Sequence, residues 1–155
     1  MKHAVVTTTG AVTFADEPLD LRSLLGIEGS DRVRLHPESG MAGWVNGCGL
    51  ALPERYARNV VGSCLLIALG AAPQPYAGPV VLTGWTWVDG AFWERSDLPH
   101  ADTALAALVS DVTAALADEP VPGQSAEWPP AIRAFAETVL TGPVPPPRIT
   151  RIASL

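Results

Sequence analysis

Residues 44–53, Trp44-Val45-Asn46-Gly47-Cys48-Gly49-Leu50-Ala51-Leu52-Pro53, constrain the fold more than any other stretch of the chain. Asn-Gly between apolar runs is a strong hairpin signal, because both central residues of a type I′ turn need positive φ. The stretch therefore predicts a β-hairpin turning at Asn46-Gly47. Proline suits a first helical turn, whose N–H groups lack partners anyway. Pro53 thus predicts a helix over 54–69, stopped by Gly70. In that helix Tyr56, Val60 and Cys64 form one row and Ala57, Val61, Leu65 and Ala68 the next, the broad apolar stripe of a core helix. A strand over 79–83 returns after a Pro/Gly loop.

The remaining segments read as hairpins and helices around that centre. Two β-prone runs, 3–7 and 11–14, flank Thr8-Thr9-Gly10 and predict an opening hairpin. Residues 19–25 predict a short helix with Leu21, Leu24 and Leu25 on one face and Gly26 as its stop. Polar–apolar alternation over 31–36 predicts a strand with one wet face. Asp89-Gly90 predicts a second tight turn, pairing Val88 with Ala91, Trp87 with Phe92 and Thr86 with Trp93. Alternation then sets Trp85, Trp87 and Phe92 on one face and Val88 and Trp93 on the other. Leu105, Leu108, Val109, Val112 and Leu116 predict an amphipathic helix over 103–117, with Asp102 as N-cap. Ile132, Phe135, Ala136, Val139 and Leu140 predict another over 130–141. The tail, 143–155, contains Pro145-Pro146-Pro147 and reads as extended. The expected fold is α+β: one domain over 1–142, with a single antiparallel sheet of hairpins covered by a central helix and two C-terminal helices.

Several function classes are disfavoured. A formal net charge of −6 argues against binding a nucleic-acid backbone, which needs a dense basic footprint. Cys48 and Cys64, the only cysteines, match no metal-ligand spacing. Without a signal peptide they point to a reduced, cytoplasmic setting. The longest apolar run, 60–72, is interrupted by Gly62 and Ser63 and is too short to span a bilayer, so no membrane partner is expected. There is no Walker A loop, GxGxxG, GxSxG or HExxH, and no cofactor is implied. Only 17% of residues are charged and 48% are hydrophobic, which leaves apolar surface for a partner or for a homo-oligomer.

Val45-Asn46-Gly47-Cys48-Gly49-Leu50, then Leu52-Pro53, then Gly78-Pro79-Val80-Val81-Leu82-Thr83-Gly84 resemble a domain family of uncharacterised function. That family is common in phages, plasmids and GC-rich bacteria. Its pattern is a V-N-x-x-G hairpin, a Leu-Pro step and a G-x-V-x-x-x-G strand, after a short first strand and a Leu-rich helix. The resemblance covers roughly residues 1–85. The family usually has an Asn and an Arg just after Leu-Pro, whereas this chain reads Glu54-Arg55-Tyr56-Ala57-Arg58-Asn59. A GC-rich source agrees with the cations, of which Lys2 is the only lysine among 10 Lys and Arg. The resemblance implies a mobile-element accessory protein and an α+β fold. It carries no reaction.

Two surfaces are candidate sites. Arg32, Arg34 and His36 share one face of their strand and could hold an anionic group, with Arg58 joining them if the central helix packs alongside. The competing reading is a solvated sheet face. Trp85, Trp87 and Phe92, with Trp44 as a neighbour, could stack a planar ligand such as a nucleobase. Here the competing reading is sheet core under the C-terminal helices. No catalytic residue is assigned; Cys48 lacks a local base, and Cys64 sits in an apolar row. The expected function is a non-enzymatic accessory protein that binds a host protein or a small anionic, nucleotide-like molecule. The alternatives are a small enzyme on a phosphorylated substrate, with His36 as general base, or a structural assembly subunit.

Overall fold

Six strands, every pairing antiparallel, make one sheet in the computed structural model, which describes residues 1–99 except 73 and 91, together with 107 and 110. The helices expected over 103–117 and 130–141, the linker between them and the tail lie outside the described residues. The opening hairpin forms as expected: β1 (Lys2–Val6) pairs with β2 (Val12–Asp16). Helix α1 (Leu21–Leu25) starts at Asp20, whose carboxylate accepts the N–H groups of Arg22 and Ser23, and Gly26 ends it. Strand β3 (Ser30–Arg34) turns through a short 3-10 segment, Pro37–Ser39, into β4 (Met41–Asn46). Helix α2 (Val60–Ala68) leads to the long strand β5 (Val80–Val88), and β6 (Phe92–Ser96) folds back on it.

The strand order is β2-β1-β5-β4-β3, so the last strand to be made before the helix, β4, sits beside the first to follow it. Strand β1 pairs with 80–82 of β5, and β6 takes over the same edge from Gly84 onward. The changeover is stitched by Leu98 N–H donating to the Lys2 carbonyl at 2.8 Å and Lys2 N–H donating to Asp97 Oδ1 at 2.9 Å.

The sheet buries both faces. On one, Val6, Val33, Leu35, Val45, Val80 and Leu82 pack against Leu65 and Leu66 of α2. On the other, Ala42, Trp44 and Val81 pack against Leu21 and Leu25 of α1. A nine-residue α2 buried among these strands draws its stability from that packing more than from helix propensity.

Two expectations at the centre fail for linked reasons. Asn46-Gly47 is not a hairpin turn: β4 ends at Asn46, neither residue has positive φ, and a 3-10 segment follows at Gly49–Ala51. The Asn46 side chain is spent on tertiary contacts instead. Its Oδ1 accepts Cys48 N–H at 2.8 Å, and its Nδ2 donates to the Leu25 carbonyl at 2.7 Å. The helix likewise begins at residue 60, not 54. Residues 57–59 pair with 76–78: Asn59 N–H donates to the Tyr76 carbonyl at 2.9 Å, and Gly78 N–H to the Ala57 carbonyl at 2.8 Å. Tyr56 therefore belongs to no helical row with Val60 and Cys64. The stop at Gly70 is where it was expected. Gly70 has φ of 97°, its N–H donates to Ile67 and that of Ala71 to Leu66, the paired bonds of a Schellman cap.

Asn59 holds the helix to the sheet. It is fully buried and every polar atom of its amide is used. Its Oδ1 caps α2 through Gly62 N–H at 2.8 Å, while its Nδ2 donates to the carbonyls of Val6 and Gly78, each at 3.0 Å. Ser63 extends the link, donating to the Asn59 carbonyl at 2.6 Å and accepting Tyr76 N–H at 2.9 Å.

Candidate functional site

The second hairpin has the expected turn residues but a different register. Asp89 and Gly90 both have positive φ, 52° and 68°. Three residues rather than two separate the paired positions, so Val88 faces Phe92, Trp87 faces Trp93 and Thr86 faces Glu94. A one-residue slip moves every side chain of a strand to the opposite face. The aromatic face is consequently Trp85, Trp87 and Trp93, and Phe92 points away from it.

This face does not lie flat beside the sheet. Val81 is level with Trp44, and Trp87 is level with Trp93; six residues of straight strand would separate them by about 20 Å. Yet the rings of Trp44 and Trp93 are 5.7 Å apart. The β5–β6 ribbon must therefore curl back over the face that carries Trp44. Gly84 sits at the bend, where a Cβ would collide with the Asp97 carbonyl oxygen, and a strand glycine often marks such a corner.

Curling brings the two sequence-distant candidate surfaces into one. Arg32 lies 4.1 Å above the Trp93 ring, Trp93 meets Trp44, and Arg95 lies 5.4 Å over Trp44 from its other neighbours. Both cations are within the range where a guanidinium is attracted to an aromatic face. Trp85 and Trp87 continue the patch in a T-shaped contact at 5.8 Å, and Trp87 remains 58% exposed. Trp44 is anchored from below by donating its Nε1–H to Thr83 Oγ1 at 2.9 Å, both groups buried. Arg34 shares the face of Arg32, since its partner Ala42 belongs to the same cluster as Trp44.

Electrostatically the patch gathers positive charge from Arg32, Arg34 and Arg95. Burial, and then the charge of Arg34, push the Arg32 guanidinium below its ordinary pKa. None of Arg32, Arg34 and Arg95 forms an ion pair among the described residues. An anion placed here would relieve that repulsion and accept from the planar guanidinium forks.

His36 lies outside the aromatic stack but lines, with Arg32 and Arg34, a cavity along β3. Strand β3 ends at Arg34, and the exposed His36 opens the 3-10 turn with its backbone N–H donating to the Leu69 carbonyl at 2.9 Å. Arg58 precedes α2 and bridges to Ala77 through its backbone. Trp93 and Arg95 were missed as site residues because the register slip hid the first and nothing in the local sequence marked the second. Cys64 is buried, and burial pushes its thiol up to about 11; Cys48 is exposed.

A second polar cluster explains part of the V-N-x-x-G stretch structurally. Tyr56 donates its hydroxyl to Glu28 Oε2 at 2.5 Å, Asn46 Nδ2 lies 3.3 Å from the same oxygen, and Arg55 pairs with Glu28 Oε1. Gly49 lies where a Cβ would meet the Ala77 carbonyl oxygen at 2.8 Å. The Tyr56 bond, first among the causes, lowers the Glu28 pKa from its ordinary 4.5 and raises that of Tyr56 from 10.0. A lowered carboxyl contributes stability above its unfolded value and loses it as pH falls; a raised phenol contributes below its unfolded value and loses it as pH rises. Thermal melts across pH should therefore show the wild type weakening below about pH 4.5 and above about pH 10 more steeply than Tyr56→Phe. Parallel curves for the two proteins would show that the bond does not couple to folding.

A cavity of about 530 Å³ opens on the opposite, α2-facing side of β3, between that strand and residues 70–72 and 74–77. Among the described residues no group of His, Cys, Asp and Glu could hold a metal ion, and no helix is long and apolar enough to cross a membrane. No protein-family model, curated protein or solved structure matches the chain.

Proposed function

We propose that the protein is a non-catalytic binding protein of mobile-element type, whose ligand is a small anion carrying a planar ring system, as a nucleotide does. One observation supports this above the others: Arg32 stacks on Trp93, joining the cationic strand to the aromatic ribbon in a single surface whose guanidinium groups form no ion pair among the described residues. A ring can stack on exposed Trp87 while a phosphate accepts from Arg34, and each contact alone is weak.

Tryptophan fluorescence, with calorimetry as a second readout, tests this directly. A nucleoside monophosphate should bind more tightly than either the free nucleoside or inorganic phosphate. Arg34→Ala should weaken it by about tenfold, the scale of one lost charge-assisted hydrogen bond. Equal affinity for phosphate and nucleotide, or an unchanged titration in the variant, would overturn the proposal.

A further inference from the structure

The edge of the sheet formed by β3 offers a site on a different principle. Among the described residues strand β3 pairs only with β4. Gly47 N–H donates to the Gly29 carbonyl at 3.2 Å, so Gly29 and Gly47 are a hydrogen-bonded pair of the ladder. Alternation then makes 31 with 45 and 33 with 43 the next bonded pairs and turns the N–H and C=O groups of Arg32 and Arg34 outward. Among the described residues no hydrogen bond reaches those outward groups. Uncovered groups of this kind are a template for another strand.

Both sides of this edge are chemically distinct. Toward α2 lies the 530 Å³ cavity, lined by consecutive residues from Asp31 to Pro37, as a strand edge presents itself, and floored by Val45, Leu50, Pro75 and Tyr76. Toward the aromatic face stand Arg32 and Arg34, without carboxylate partners among the described residues. A second copy of this edge is a poor occupant, because antiparallel pairing would set these arginines against their own counterparts.

We infer that β3 docks an extended segment of a partner protein, added to the sheet as a further strand, in which acidic residues alternate with large apolar ones. The acidic side chains meet Arg32 and Arg34; the apolar ones enter the cavity beside Val33 and Leu35. Main-chain bonds then supply affinity and the alternating pockets supply selectivity. The inference stands apart from the nucleotide reading, although both use Arg34.

The test is calorimetric titration of the full chain with a capped synthetic peptide alternating glutamate with leucine. Saturable binding that weakens with added salt is expected. Replacing glutamate by lysine should weaken it by about tenfold or more. N-methylation at one alternating set of amides should abolish binding, while methylation of the other set is tolerated. Ala72→Trp places a large ring on the exposed cavity rim and should block the peptide while leaving nucleotide titrations unchanged. Equal binding of the glutamate and lysine peptides, tolerance of methylation at both sets, or no saturation would overturn the inference. The methylated peptides decide the matter even if the tryptophan variant fails to fold. Nucleotide binding without peptide binding would remove this inference and leave the other reading standing.

Discussion

Asn59→Ala is expected to cost about 4 kcal/mol of folding stability, enough to remove much of a small domain's margin. The truncation leaves Gly62 N–H at the start of α2 without its cap and takes one hydrogen bond each from the carbonyls of Val6 and Gly78. Water does not readily replace the amide, since the site has no exposure at all. Urea unfolding should show a lower midpoint with an unchanged slope. Asn59→Asp separates the cap from the staple. One carboxylate oxygen can still accept Gly62 N–H, but the other faces two carbonyls and is tolerated only when protonated. Its folded-state pKa is thus raised above the ordinary value of about 3.9, so the variant's deficit against the wild type should be smallest below that pH and grow as pH rises. A cost for Asn59→Ala under about 1 kcal/mol would mean that the freed groups find new partners.

Trp44→Ala is expected to cost about 3–5 kcal/mol, the range for removing a buried aromatic ring, and to dismantle the site as it does so. Trp44 is 8% exposed and occupies the centre of the stack, with Trp93 and Arg95 on its ring. Without it the curled ribbon loses its seat on the sheet and the Thr83 hydroxyl loses its donor. Trp44→Phe keeps most of the apolar area and loses only the indole bond, so its cost should be about 1–2 kcal/mol. Denaturation of both variants, followed at the far-UV backbone signal, measures the difference. Equal stabilities would show that the ribbon rests on something other than this ring.

The same residues show how far local pattern reaches. The opening hairpin, the helix capped by Asp20, the strand at β3 and the stop at Gly70 follow from side chains acting on neighbouring backbone. Such signals need nothing from the rest of the chain. Asn46-Gly47 failed as a turn although the dipeptide is well suited to one. The Leu25 carbonyl and Glu28, both far upstream, compete for the Asn46 amide and win it. Residues 54–58 have a helical pattern, yet it yields only a turn in which Arg55 and Tyr56 donate to the Leu52 carbonyl, and pairing of 57–59 with 76–78 takes the backbone beyond it. The aromatic face was legible as a kind of surface but not in its membership. One extra residue in the 89–91 connection exchanged Phe92 for Trp93, and turn-residue preference alone does not count loop length.

Sequence by itself determined that this chain builds an antiparallel sheet with short helices, because strand alternation and helix caps are local properties of the polymer. It also set apart a cationic strand and an aromatic ribbon, some fifty residues from each other. Only the tertiary structure decided that they are one surface: the bend of β5 goes with the close approach of the Asp97 carbonyl to Gly84 and the meeting of Trp93 with Trp44, which no local window contains. That β3 stands last in the sheet among the described residues is decided the same way, since whether a strand ends a sheet depends on which other strands arrive beside it.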